Sequence, residues 1–325
     1  MRLEQSLFGT TFQNPVLLAA GTCGFGREVQ GVVDLESLGG LVTKSVTLEP
    51  RQGNPAPRVA EFGPGMINSI GLANPGAERA AGEKLPWLGA NLGRARVFVS
   101  VAGHTAEEYV SVVETLEPED GFLGFELNLS CPNDARLQGL PFALEREALS
   151  RVIREVRART ERPLLAKLAP NDPDPGATAR AAEEAGADGL TLVNTLPGLV
   201  LEPETGDPVL GAGSGGVSGP ALRPLGVWAV RRARRGTSLP IVGAGGISAT
   251  DDALQYLRAG ASLVQVGTAS FADPRAAARI VAGLAAWGRR RGVDSVKALI
   301  GEGPAAGEAR PGSPEPVPDP VPVAE

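Results

Sequence analysis

From about residue 14 to residue 292, short apolar runs rich in β-branched residues alternate with Ala-, Glu- and Arg-rich stretches. This rhythm constrains the fold more than any other feature. The runs 16–20, 40–46, 97–101, 123–129, 164–168, 189–194, 240–243 and 262–266 read as strands. Helical stretches follow each of them, at 27–38, 77–90, 105–116, 145–160, 174–186, 220–235, 250–259 and 274–291. Thr105, Thr250 and Asp273-Pro274 are helix starts. Gly186, Gly236 and Gly260 are helix stops. Near-continuous apolar strands suit a parallel sheet covered on both faces. Eight strand–helix pairs predict an α/β fold, a closed (β/α)8 TIM barrel. The rival, a doubly wound sheet, needs a reversal of strand order that the pattern does not display.

Two segments are too long for ordinary connections. Residues 50–76 predict a β-hairpin excursion over the C-terminal mouth, and residues 196–219 a second, glycine-rich one. A GxGxxG match at Gly211, Gly213 and Gly216 opens no βαβ unit, so it reads as a flexible loop and not a dinucleotide fingerprint. Residues 1–300 are expected to form one catalytic domain. Residues 301–325 carry seven of the 28 prolines and almost no large apolar residue, which predicts a disordered Pro-rich tail.

Scarcity then limits the chemistry. The chain of 325 residues has one histidine, His104, and two cysteines, Cys23 and Cys131. That inventory cannot build a four-cysteine zinc site, an HExxH site or a four-cysteine iron–sulfur cluster, and no metal is expected. Proton transfer falls to Cys, Lys, Tyr, a carboxylate or a cofactor. The net charge is −6, and the Arg clusters at 231–235 and 289–291 close helices, so no nucleic-acid partner is expected. Few cysteines fit a reducing cytoplasm. No signal-peptide core and no membrane-spanning run are seen, so a soluble cytoplasmic protein is expected.

Ligands of such barrels sit at the C-terminal ends of the strands. Strands seven and eight end in GAGGIS (243–248) and VGTAS (266–270), glycine turns entering helices, which point to a phosphate. Of the 31 basic residues only four are lysines, yet Lys44 and Lys167 lie inside apolar runs. A buried ammonium is costly unless it serves a charge, so both read as ligand or catalytic groups. Cys131 follows a strand end in a polar turn, SCPN, which favours a reactive thiol. Asn68, Asn128 and Asn194 add neutral amides that suit a planar heterocycle. Cys23 reads as a packing residue, and His104 as a cap or surface group.

The runs NPVLLAAGTCGFG, TKSVTLEPRQGNPAPR, GMINSIGLANPG, ELNLSCPN, VNTLPG, GGVSGP, GAGGIS and VQVGTASF resemble class 1 dihydroorotate dehydrogenases, collinearly over about residues 3 to 285. TKSVTLEPR and GMINSIGLANPG look closer to the NAD-linked 1B catalytic subunit than to the fumarate-using 1A homodimer. The resemblance implies oxidation of (S)-dihydroorotate to orotate in pyrimidine biosynthesis, with FMN at the barrel mouth. It implies Cys131 as general base, with Lys167 beside the flavin. Cofactor contacts would come from Ala20, Lys44, Ser45, Ser100, Asn128, Lys167, Val193, Gly219, Gly245, Gly246, Gly267 and Thr268. Substrate contacts would come from Lys44, Asn68, Ser69, Ile70, Gly71, Leu72, Asn128, Asn133, Asn194 and Thr195. It further implies a homodimer, or a heterotetramer with a partner subunit carrying FAD and a 2Fe–2S cluster. Two departures stand out: Ala20 replaces the family's common Ser, and Ser100 its usual Asn. A fumarate-linked 1A enzyme and a flavin-free phosphate-binding isomerase or synthase remain the competing readings.

Overall fold

The structure is a computed structural model and describes residues 1–130 and 141–301. Eight parallel strands close a TIM barrel: β1 (Val16–Leu18), β2 (Gly40–Val42), β3 (Arg96–Val101), β4 (Gly124–Asn128), β5 (Leu164–Lys167), β6 (Gly189–Leu192), β7 (Ile241–Ala244) and β8 (Leu263–Val266). Each pairs with its sequence neighbours, and β8 returns to β1. No strand order reverses, which removes the doubly wound alternative. The strands are nearly all buried because helices cover the outer face and side chains fill the inner one.

Outer helices behave as their periodicity demands. Helix Arg146–Arg157 buries Leu149, Val152, Ile153 and Val156, at spacings of three and four, and turns its arginines outward. Helix Ala106–Leu116 is capped by Thr105, whose hydroxyl accepts the Glu108 N–H. The expected helix over 27–38 is a correction. That segment is a chain of turns closed by a 3₁₀ turn at Leu35–Ser37. Gly24 and Gly26 take positive φ there, and the Glu28 carboxylate accepts the Phe25 N–H. Barrel strands β1, β2 and β6 also stop early, so Ala20, Lys44 and Asn194 stand on the loops just beyond them.

A hairpin absent from the expectations, Gln5–Leu7 paired with Thr10–Phe12, closes the N-terminal end of the barrel. Phe12 joins Leu17, Val42, Phe98, Leu165, Val242 and Leu263 in a separate core cluster. Phe8, at the turn, packs edge-on against Phe12 and Phe98. Gly189 opens β6 because a Cβ there would lie 2.9 Å from the Phe8 ring. Full burial of each such side chain contributes about 1.5–3 kcal/mol over leaving it exposed.

The two long excursions form one antiparallel sheet over the opposite end. The expected hairpin in 50–76 is Val59–Phe62 paired with Gly65–Asn68. The second excursion adds Gly215–Ser218 beside Gly65–Asn68, and Leu196–Gly198 beyond it. Part of the glycine-rich run read as a loop is therefore strand. Gly216 lies against Asn68 in register, and a Cβ on it would lie 2.1 Å from the Thr195 hydroxyl oxygen.

Candidate active site

Beneath this sheet the barrel opens into a cavity lined by Ala20, Lys44, Ser45, Asn68, Ile70, Gly71, Leu72, Asn128, Lys167, Asn194, Thr195 and Thr268. All twelve were expected at a ligand site. Gly21 and Thr22, which follow Ala20 at a strand end expected to face the ligand, line it too, as do Val59, Met66, Ser218 and Phe271, which were not expected. A second cavity shares Met66, Thr268 and Phe271 with the first and runs on past Gly219, Gly246, Ile247 and Ser248. The two make one tract, from an amide-lined chamber to a glycine-lined cradle.

The chamber wall is a hydrogen-bonded chain. The Ser100 and Ser45 hydroxyls lie 2.8 Å apart, and the Asn128 amide donates to Ser45 Oγ at 3.3 Å. The Asn194 amide donates to Asn128 Oδ1 and to Ser130 Oγ, both at 3.0 Å, while its own Oδ1 accepts the Thr195 N–H. Each amide is thus fixed in orientation and presents a defined edge to the cavity. Ser100 is fully buried behind Ser45 and does not reach the chamber. Ser69 likewise faces away, its hydroxyl accepting from the Asn54 amide. Val193, Gly245 and Gly267 lie beneath the lining and not on it. Cys131 and Asn133 lie outside the described residues. Ser130, which precedes Cys131, is buried and held by Asn194.

The floor of the chamber is charged. Lys167 reaches it from β5, and its ammonium lies 3.1 Å from Glu126 Oε1. Glu126, on β4, is completely buried. Its other oxygen accepts from Thr191 Oγ1 at 2.9 Å and from Gln265 Nε2 at 2.8 Å. A buried carboxylate is tolerated only with such partners.

In the cradle, the N–H groups of Gly246 and Ile247 form no hydrogen bond with the described residues. Asp252 already takes those of Ser248 and Ala249, at 2.9 and 3.0 Å, and pairs with Arg223. The Tyr256 hydroxyl donates to the carbonyls of Ala244 and Gly245, and burial pushes its ionisation up. Gly246 has φ +67°, and a Cβ there would lie 2.7 Å from the Gly219 carbonyl. Unpaired N–H groups beside a helix start, with no side chain in the way, make an anion site.

Two sequence candidates sit elsewhere. Cys23 is buried against the Val42 carbonyl, and burial pushes its thiol up to about 12, so it packs and does not react. His104 lies in a separate groove beside Arg51, with Nε2 at 2.9 Å from the guanidinium. No helix among the described residues is long and apolar enough to cross a membrane.

Fold and site together define a class: a TIM-barrel enzyme with a cradle for a phosphate-like anion, an amide-walled chamber and an ammonium floor. Comparison with known proteins narrows it. The family model for dihydroorotate dehydrogenase matches residues 2–287. A Solibacter usitatus protein bearing the provisional name dihydroorotate dehydrogenase A (fumarate) is 45% identical over 300 residues, covering 92% of this chain and 98% of its own. The catalytic subunit of dihydroorotate dehydrogenase B (NAD(+)) from Geobacillus kaustophilus is 42% identical over 300 residues, covering 92% and 95%. The dihydroorotate dehydrogenase from Eimeria tenella, solved with ferulenol, shares the fold, with TM-score 0.77 over 93% of this chain and 88% of its own at 24% identity. The chain belongs to the dihydroorotate dehydrogenase family, in its class 1 branch, and is an oxidoreductase.

Proposed function

We propose that the chain oxidises (S)-dihydroorotate to orotate with FMN held along the tract from chamber to cradle. The observation that carries this is the continuity of that tract. A phosphate at Gly246 and a planar ring over Lys167 would belong to one molecule. The residues present fit FMN: the cradle has two unengaged N–H groups and no room for a Cβ, and the chamber offers fixed amides and an ammonium. When bound, FMN supplies the acceptor for the hydride that leaves C6 of the substrate.

The chain supplies the rest. Cys131, as thiolate, takes the proton from C5. Lys167 holds positive charge where negative charge develops on the reduced ring. Asn68, Asn128, Asn194 and Thr195 orient the substrate's alternating N–H and C=O groups, and Lys44 binds at the junction of ring and substrate. The hydroxyl of Ser45 is set by Ser100, so the departure from Asn at 100 acts through Ser45 and not by direct contact.

For the electron acceptor we favour the 1B reading, in which electrons pass to NAD through a partner subunit carrying FAD and a 2Fe–2S cluster. The motifs TKSVTLEPR and GMINSIGLANPG support it. Relatives of both acceptor types stand at nearly equal identity, 45% and 42%, which keeps fumarate as the second reading. The direct test of the flavin reading is an absorbance spectrum of the purified chain, then anaerobic titration with dihydroorotate. Flavin bands that bleach on titration are expected. A colourless protein that does not take up FMN would overturn it and favour a flavin-free barrel enzyme.

A further inference from the structure

Lys167 has a support that its role at the ring does not explain. Its Nζ makes one hydrogen bond among the described residues, to Glu126 Oε1. Glu126 is fully buried and does not line the chamber. Its carboxylate is clamped from three strands, by Lys167 on β5, Thr191 on β6 and Gln265 on β8. The register sets Lys167 level with Thr191 on one side and Asn128 on the other, two residues above Glu126 on β4. The lysine therefore leans down and across to its anchor while still lining the chamber. A salt bridge in this position does little for stability, since the desolvation of both ions offsets their attraction. A reason for keeping it lies in what it does to the ammonium.

Resting on the flavin reading above, we propose that Glu126 is a positioning residue. Anchored by Thr191 and Gln265, it holds the Lys167 ammonium in place and aimed at the flavin ring, and so sets how readily that ring accepts negative charge. Glu126 touches neither ring nor substrate and acts through Lys167. Lys44 is the other charged group lining the chamber, and it stands on the β2 side.

The test is Glu126→Gln in the FMN-loaded protein. Gln265 Oε1 has no hydrogen-bond partner among the described residues, so its amide can turn to accept from the new one, while Thr191 rotates its hydroxyl. The variant therefore loses the charge without losing the packing. Two readouts are independent of turnover: the flavin midpoint potential and the affinity for sulfite. Sulfite adds through its sulfur lone pair to flavin N5, and the displaced electron pair rests on the N1–C2=O side of the ring. Without its anchor the ammonium is no longer held in place against the ring. Sulfite affinity should fall about tenfold or more, the size of one neighbouring charge's effect. That corresponds to a potential lowered by about 30 mV for a two-electron couple. Lys167→Met gives the reference for complete loss of the charge.

Unchanged affinity and potential would overturn the proposal, and so would a rise in both, which would make Glu126 a damper on the charge and not its holder. Should Glu126→Gln fail to fold, Gln265→Met reads the same quantity by removing one clamp. A fall in sulfite affinity supports the proposal, and wild-type values overturn it. A wild-type chain that takes up no FMN sinks the flavin reading and this inference together. A flavin-loaded wild type with indifferent variants sinks this inference alone.

Discussion

A charged residue inside an apolar strand is the most informative single letter in this chain. That signal selects Lys167 in LLAKL, and Lys167 lies on the chamber floor. Glu126 in LGFELNL carries the same signal, and Gln265 in SLVQV is its uncharged polar counterpart; neither stands out from its own strand alone. Their meaning depends on barrel register, which brings β4, β5, β6 and β8 to one level and is not written in any single strand. Cys131 and Cys23 contrast in the same way. One follows a strand end beside Ser130, and the other is sealed against β2 with its thiol pushed up to about 12. Cys131→Ala should lower dihydroorotate oxidation by about 10²-fold or more, the usual consequence of removing a general base. The bound flavin spectrum should stay as it was. Cys23→Ala should leave the rate unchanged and shift only the melting temperature. Steady-state rates with an artificial acceptor check both, and full activity in the Cys131 variant would end its role.

At the scale of elements, glycine turns decide the proposed phosphate cradle and a carboxylate decides one of the loops. Gly246→Ala brings a Cβ to 2.7 Å from the Gly219 carbonyl and 2.8 Å from the Arg223 nitrogen, at φ +67°. Backbone must move at the anion site, so FMN affinity should weaken by at least tenfold, about 1.4 kcal/mol. Gly31→Ala, which meets nothing within 4 Å, is the control. Flavin fluorescence on titrating apoprotein reads both. Glu36 ties the β1–β2 connection to the chain entering β3. Burial pushes its carboxyl up, but the N–H groups of Ala95, Arg94 and Gly93 outweigh that and hold it below its ordinary value of 4.5. A folded value below the unfolded one means the stabilisation is complete above the unfolded value and is lost as pH falls through the folded one. Glu36→Gln should therefore flatten the loss of stability below about pH 4.5. Denaturant melts at several pH values check this, and an unaltered slope would refute it. These elements were partly legible. The glycine turns GAGGIS and VGTAS do enter helices after strands seven and eight, whereas the glycine run at 211–216 is partly strand and the segment 27–38 is not the expected helix. Its apolar spacing looks helical, but the positive φ of Gly24 and Gly26 and the bond from the Phe25 N–H to the Glu28 carboxylate settle it as successive turns.

The barrel itself was legible because each βα unit repeats a local pattern, and local patterns survive in sequence. The two closures of its ends were less so, because they join distant segments. The N-terminal plug depends on Phe8 and Phe12 meeting Phe98, and the mouth sheet on Gly215–Ser218 meeting Gly65–Asn68. Phe12→Ala tests the plug. Removing a fully buried ring that stacks on Phe98 should cost about 3–5 kcal/mol in urea melts. The mouth is the part that bears on electron flow. Phe271 is 57% exposed and lines both cavities, so the tract reaches the surface at an apolar residue. In the proposed reaction the electrons pass either to a small acceptor that enters by that mouth or to a partner that docks on the barrel. Two cysteines cannot supply a four-cysteine cluster, so a route through iron and sulfur requires a second protein. The purified chain, loaded with FMN and reduced by dihydroorotate, should then reoxidise slowly with either fumarate or NAD. Rapid NAD reduction should appear only when an FAD- and 2Fe–2S-bearing subunit is added. Rapid reoxidation by fumarate with the chain alone would refute the 1B reading and make the mouth an entrance for a small dicarboxylate.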